Sequence, residues 1–297
     1  MKQQNIPIFL SSDDNYAPFL CTTMYSILEN TKSFISFYVL DGGITGESKN
    51  LINESLKNFS NYTIKYVDMA LFGLERFPNI RHYSLNTFSR YFIPEIAPDL
   101  NKVIYMDVDI IVKGDIAELY NQELEKYPLA AVLEDFYAGN YTALKEKIYP
   151  DYSGKDIYFN AGVLLFDVRK FIQNKYSQKM IDLTIKLQDK LCCPDQDVLN
   201  ILFENNFKIL DYKYNFMPDL FPLLQEKHPE IQNIKPLIIH YVAQKPWKEV
   251  SSMSYDFNEI LVKTAFQKIV KQKFGIITLV KKYKLFGWLP LLTTEEN

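Results

Sequence analysis

Two aspartates interrupt a ten-residue apolar run, Val103-Ile104-Tyr105-Met106-Asp107-Val108-Asp109-Ile110-Ile111-Val112. In an extended chain, residues i and i+2 project to the same side. The spacing therefore predicts that Asp107 and Asp109 face one point. Two anions close together in apolar surroundings repel each other and lose hydration. A divalent cation relieves both penalties, and carboxylate oxygens suit Mg2+ or Mn2+. An Asp-x-Asp arises by chance about once in a chain of this size at average composition. A second one, Asp195-Gln196-Asp197, is indeed present. The apolar placement of the first, rather than the pattern, points to a metal. His240 ends another apolar segment, Leu237-Ile238-Ile239. Its ring nitrogen would complete the ligand set and tilt the choice toward Mn2+. Taken alone, His240 reads more readily as a hydrogen-bonded structural histidine than as a ligand.

The elements that must carry these residues follow from the rest of the pattern. Ile6–Leu10 reads as a buried strand, ending in Ser11, Ser12, Asp13, Asp14 and Asn15, which favour turns and helix caps. Tyr16–Asn30 has helical spacing, Ser36–Leu40 reads as a strand, Glu47–Phe59 as a helix and Tyr62–Val67 as a strand. Ser84–Ile93 reads as a helix and Lys102–Met106 as the fourth strand. This rhythm predicts an α/β domain whose mainly parallel sheet carries helices on both faces. Ligands of such sheets sit beyond the carboxyl ends of the strands. Further on, Tyr158–Phe166 reads as a strand, Phe171–Lys190 and Pro194–Phe203 as helices, and Phe207–Leu210 and Leu237–His240 as strands.

Composition bounds the function. With 297 residues, 47% hydrophobic and 23% charged, the chain can bury a full core without disulfide staples. A net charge of −3 gives no general attraction to nucleic acid. Cys21, Cys192 and Cys193 form neither a C-x-x-C zinc motif nor an even disulfide framework, which fits a reducing cytosol. The N-terminal residues lack the apolar core of a signal peptide, and no apolar run approaches the ~18 residues that span a bilayer.

Six blocks together resemble glycosyltransferase family 8. They are Asp13-Asp14-Asn15-Tyr16, Asn79-Ile80-Arg81-His82 with Arg90, Met106-Asp107-Val108-Asp109, Phe159-Asn160-Ala161-Gly162-Val163, Asp195-Gln196-Asp197, and His240 to Lys245-Pro246-Trp247. The likeness covers about residues 5–250. The chain is similar to bacterial lipooligosaccharide α-1,4-galactosyltransferases within the family and more distantly to glycogenin. The resemblance implies a GT-A fold over 1–250, with 251–297 as a basic, aromatic C-terminal extension. It implies Mn2+, with Mg2+ as second choice, held by Asp107, Asp109 and His240 against the pyrophosphate of a UDP-sugar. It places Tyr16 against uracil, Ser12, Asp13, Asn15 and Val108 around the nucleoside, and Lys245 at the diphosphate. Arg90, Asn160, Asp195 and Gln196 would line the donor sugar, and Asp135 the acceptor. In the family, Lys follows His by six residues with a glycine between. Here Lys245 follows His240 by five and the glycine is missing, so a different path is expected for this loop.

The implied activity is retaining transfer of a hexose, galactose before glucose, to lipopolysaccharide, lipooligosaccharide or another cell-surface glycan. The position taken by a carboxylate nucleophile in most retaining glycosidases falls to the amide of Gln196. Same-face displacement is thus expected, with a covalent adduct on Asp195 as the alternative. Between Glu259 and Glu295 there are seven Lys and no acidic residue. Residues 264–292 mix six of these Lys with large apolar side chains, a composition suited to peripheral contact with an anionic membrane. A cytoplasmic enzyme working at the inner face of the cell membrane would use such a segment. Two other readings are an inactive sugar-nucleotide-binding protein and a haloacid-dehalogenase-type phosphatase. The second places its Asp-x-Asp on the first strand, not past residue 100.

Overall fold

A computed structural model describes residues 4–80, 83–134, 138–148, 157–248 and 254–274. Its strands are β1 (Asn5–Ser12), β2 (Phe34–Asp41), β3 (Tyr62–Asp68), β4 (Lys102–Met106), β5 (Ile110–Val112), β6 (Leu129–Leu133), β7 (Phe159–Asp167), β8 (Lys208–Ile209) and β9 (Ile238–His240). Among the described residues, seven strands form one sheet in the order β3-β2-β1-β4-β7-β6-β8, and β5 pairs with β9 in a second, two-stranded sheet. β1, β2, β3 and β4 run parallel, as does β8 beside β6, while β7 is antiparallel to both β4 and β6. The mainly parallel sheet expected from the βα rhythm is present, with β7 as its reversed member.

Alternation along the central strand shows why both faces must be covered. Ile6, Ile8 and Leu10 of β1 join a core with Phe19, Leu20, Met24 and Ile27 of the helix Ala17–Asn30. Phe9 points the other way, into a core with Phe88, Tyr91, Tyr105, Val198 and Leu199. A strand buried on both faces reads as a continuous apolar run, as Ile6–Leu10 does. Phe257, Ile260, Leu261, Phe266 and Val270 belong to the first of these cores.

Three local expectations are corrected. Asp107 and Asp109 do not lie within a strand: β4 ends at Met106, β5 begins at Ile110, and 107–109 bend between the two sheets. The apolar run is two strands joined by a turn, and the pleat argument does not apply to it. The segment near Arg90 is a 3-10 helix, Leu85–Phe92, running into a short α-helix at Ile93–Ile96 rather than one α-helix. Ser84 caps it, accepting from Asn86 N at 3.3 Å, and Pro94 enters near the start of the α-helical turn. The helix expected over Phe171–Lys190 is broken into Val168–Gln173 and Tyr176–Leu187 by Lys175, which has φ of 52°. A left-handed residue cannot continue an α-helix.

Candidate active site

The bend between β4 and β5 is held from both sides. Asp107 N donates to Gly162 O on β7 at 2.8 Å. The Thr23 hydroxyl lies 2.9 Å from both the Val108 and Ile110 carbonyl oxygens. Val108 itself is buried in the first core, so the two flanking carboxylates turn out of it. β9 pairs Ile110 with His240, and Tyr241 N donates to Asp109 O at 3.0 Å. These backbone contacts bring the ligand atoms of Asp107, Asp109 and His240 within 4.8 Å of one another. His240 Nε2 lies 3.3 Å from Asp109 Oδ1 and 3.9 Å from Asp107 Oδ2. Gly162 leaves the space this requires, since a Cβ there would lie 2.1 Å from His240 Cε1. Two carboxylates and one imidazole can hold a divalent cation.

Cations surround the acids. Lys245 Nζ pairs with Asp109 Oδ2 and donates to Tyr241 O at 2.8 Å and Val242 O at 3.2 Å. Burial opposes ionisation of Asp109, but Lys245 and His240 outweigh it and hold the carboxyl well below the usual carboxylate range. Burial likewise pulls the Lys245 ammonium down, and Asp109 more than offsets that. Despite the shortened spacing from His240, the loop delivers Lys245 to the cluster. Trp247 anchors it: its ring stacks on Phe19 with centroids 3.5 Å apart, and Asn258 Nδ2 donates to Pro246 O at 2.9 Å. Trp247 also meets Tyr16 edge-on at 5.8 Å. Tyr16 is 40% exposed, so its ring is available as a platform rather than spent in the core. Asp13 caps the turn before it, accepting from Tyr16 N at 3.1 Å, and the Ser12 hydroxyl donates to Asp13 O at 2.9 Å. Asn15 is exposed beside Tyr16.

Arg90 bridges the two Asp-x-Asp motifs. Its Nη2 donates to Asp107 Oδ1 at 3.0 Å, while Nη1 donates to Ala161 O at 2.6 Å and pairs with Asp195 Oδ2 at 3.1 Å. Its guanidinium also sits over the Tyr105 ring at 4.2 Å. Burial disfavours the charged guanidinium, but Asp195, Tyr105 and Asp107 together keep it ionised. Burial raises the Asp195 carboxyl in spite of Arg90. Gln196 Oε1 accepts from Ala161 N at 2.8 Å, so the helix Pro194–Leu202 presents its first turn to β7. Asp197 faces away from this group and accepts from Cys192 N, Cys193 N and the Tyr158 hydroxyl at 2.7, 3.0 and 2.7 Å. It ties down the start of its own helix.

Asn160 and Gln196 thus converge with Arg90, Asp195 and the metal-type cluster. Asp135 lies outside the described residues. Sequence reasoning missed four residues here. Tyr105 donates its hydroxyl to Asp107 Oδ1 at 2.8 Å. Gly162 lies within one of the six blocks, and its missing Cβ makes room for the His240 ring. Asn215 is fully buried, with Oδ1 2.9 Å from His240 Nδ1; nothing in its local pattern marks it. Glu134, fully buried, accepts from Asn160 Nδ2 at 3.3 Å and Gln196 Nε2 at 3.2 Å. A carboxylate ending the apolar run Leu129–Leu133 is the signal that singled out Asp107, and it could have found Glu134 too.

Comparison with known proteins gives this geometry a lineage. A protein of Haemophilus influenzae is 31% identical over 264 residues, covering 88% of this chain and 78% of that one. The lipopolysaccharide 1,2-glucosyltransferase of Escherichia coli is 28% identical over 246 residues, covering 80% and 71%. Streptococcal relatives are longer: the chain spans 58% of the Streptococcus pneumoniae glycosyltransferase GlyF, to which it is 32% identical. The crystal structure of the galactosyltransferase LgtC with donor and acceptor sugar analogs superimposes with a TM-score of 0.75 at 28% identity, covering 87% of this chain and 96% of that one. Its GT-A fold is the fold of this chain. Residues 7–251 match the model of glycosyl transferase family 8, and the chain belongs to that family.

Proposed function

We propose that this chain is a retaining, divalent-metal-dependent hexosyltransferase that moves a sugar from UDP to a saccharide acceptor. The observation that carries the proposal is the convergence of Asp107, Asp109 and His240 from two strand ends, with Lys245 and Arg90 beside them. The three ligands and the cradle left by Gly162 fit Mn2+ better than Mg2+ because one donor is nitrogen. The metal, when bound, supplies Lewis-acid stabilisation of negative charge on the departing diphosphate. The ammonium of Lys245 adds to that stabilisation. Tyr16 stacks on the uracil, while Ser12, Asp13, Asn15 and Val108 surround the nucleoside. Arg90, Asn160, Asp195 and Gln196 line the sugar, and Asp135 meets the acceptor.

Gln196 bears on the stereochemistry. Its Oε1 accepts from a backbone N–H and its Nε2 donates to Glu134, so the amide is held at both ends and is a poor nucleophile. Asp195 is engaged by Arg90. We therefore favour same-face displacement. The bond from the anomeric carbon to the UDP oxygen breaks, and the acceptor oxygen bonds that carbon on the same face. The acceptor's hydroxyl proton passes to the departing phosphate oxygen.

Galactose is the favoured donor sugar, by likeness to LgtC, and glucose the second, by likeness to the glucosyltransferase. The lipopolysaccharide 1,2-glucosyltransferase, with the resemblance of the sequence blocks to lipooligosaccharide galactosyltransferases, favours lipopolysaccharide or lipooligosaccharide as acceptor, reached from the cytoplasmic face of the membrane. The test is UDP release with Mn2+ over a panel of UDP-sugars, comparing wild type with Asp109→Ala. Turnover of one sugar, lost on chelation and reduced at least about 100-fold in the variant, supports the reading and names the donor. No turnover with any sugar and acceptor extract would defeat it.

A further inference from the structure

We infer that Asn215 is a positioning residue that, with Asn160 and Glu134, fixes which nitrogen of His240 carries the proton and so readies the other for metal. The inference concerns a buried chain of hydrogen bonds from Glu134 to His240, and its directions can be worked out. The backbone N–H of Gly162 donates to the Asn160 side chain at 2.9 Å. A backbone N–H cannot accept, so the Asn160 atom facing it is the oxygen, Oδ1. The other end of that amide, Nδ2, then donates to Glu134 Oε2 at 3.3 Å, where a carboxylate is the natural acceptor. Oδ1 of Asn160 also faces Asn215 at 2.8 Å. Two amide oxygens would repel there, so Asn215 must present Nδ2. Its own oxygen is thereby turned to His240 Nδ1 at 2.9 Å. An oxygen accepts, so Nδ1 must carry the hydrogen.

A neutral imidazole has one N–H and one lone pair. With Nδ1 protonated, the lone pair is on Nε2, the nitrogen that faces Asp109 Oδ1 and Asp107 Oδ2. The opposite tautomer would gain a contact from Nε2–H to Asp109, but it would aim that N–H at the metal position and leave two acceptors facing each other at Nδ1. Water cannot easily repair such a mismatch, because Glu134 and Asn215 are 0% exposed, His240 3% and Asn160 5%. The polarity is thus dictated by one backbone amide and one carboxylate and passed on by two side-chain amides. The same carboxylate holds Gln196 Nε2. Glu134 therefore orients the amides of the sugar pocket and, through Asn215, the metal ligand. Metal-binding histidines are commonly oriented by such outer partners.

The geometry stands on its own, but its consequence for metal binding rests on the metal-dependent function proposed above. The experiment separates the two. The first arm is 15N NMR of metal-free wild type, recorded at several pH values. The His240 signals are assigned by their loss in His240→Gln. A pyrrole-type Nδ1 is expected in metal-free protein whether or not the carboxylates facing Nε2 hold a second proton there, and a pyridine-type Nδ1 overturns the inference whatever the enzyme's activity. The second arm is the Kd for Mn2+, by electron paramagnetic resonance with UDP present, in wild type, Asn215→Leu and Asn215→Asp. Folding of each variant is checked by circular dichroism and thermal melting. Leu removes the acceptor and is expected to mix the tautomers and weaken Mn2+ by about 10- to 100-fold. Asp keeps an acceptor at Nδ1 and should retain the proton there, although its second oxygen faces Asn160 Oδ1 and costs stability, so its loss of Mn2+ affinity is expected to be smaller than that of Leu. Equal losses in Leu and Asp with an unchanged tautomer would reduce Asn215 to a packing role and overturn the inference. Absence of Mn2+ binding by wild type would sink the metal-dependent function while leaving the NMR arm decisive for the relay.

Discussion

A methyl group added at Gly162 would meet the His240 ring 2.1 Å from Cε1 and 2.8 Å from Nδ1, and Asp107 Oδ2 at 2.9 Å. His240 is buried and tied to Asn215, so it cannot swing clear without losing that bond. Gly162→Ala should cost about 1–3 kcal/mol of stability by overpacking. It should also weaken Mn2+ by displacing its nitrogen ligand. Thermal denaturation and Mn2+ titration measure the two separately; an unchanged Mn2+ affinity would show that the ring can yield. At Tyr16 the expectation concerns the donor nucleotide. Stacking on a base is worth about 1–3 kcal/mol, so Tyr16→Ala should raise KM for the UDP-sugar by roughly ten- to a hundredfold, with Tyr16→Phe near wild type. Equal loss in both would point to the hydroxyl instead.

Elements decide where these side chains meet. β4 and β5 belong to different sheets, and the turn between them aims both carboxylates at β9. The loop carrying Lys245 depends on Trp247 stacked on Phe19. Trp247→Ala should cost about 3–5 kcal/mol, as for other large buried aromatics, and should lower transfer further by freeing Lys245. A melt and a kcat measurement well below the new Tm distinguish the two effects. At the helix break, Lys175 occupies the left-handed region, where a non-glycine residue costs about 1–2 kcal/mol. Lys175→Gly should therefore be neutral or stabilising by up to about 1 kcal/mol once glycine's extra chain entropy is counted. A marked fall in Tm would mean the Lys side chain contributes more than its backbone strain.

At the scale of the whole molecule, the basic segment divides. Thr264, Phe266 and Val270 are each about 1% exposed, so the stretch that begins the basic region is packed into the enzyme. Among the described residues no helix is long and apolar enough to cross a membrane. The Lys residues at 281, 282 and 284, with their apolar neighbours, lie outside the described residues. We expect removal of 275–297 to keep the fold and transfer to a soluble acceptor, and to reduce sedimentation with vesicles rich in anionic phospholipid. Undiminished vesicle binding would exclude this segment as the membrane contact. A cut at 264 would not serve, because it removes core residues.

The amino-acid sequence by itself determined the chemistry that was available. It supplied carboxylates set in an apolar run, a histidine ending another, a turn-rich block after β1, and six blocks in one order. The βα alternation was equally legible, because each strand and helix writes its own period of burial. Tertiary structure decided which groups meet. Asp107 and Asp109 converge through a bend between two sheets, not through a shared strand face. Arg90, on a 3-10 helix, reaches two motifs far apart in the chain, and Asn215 and Glu134 act only through partners distant in sequence. Glu134 is marked only by the apolar run it ends, and Asn215 by nothing local, because burial of a polar group is tolerated only where a partner stands, and that partner is brought by the fold.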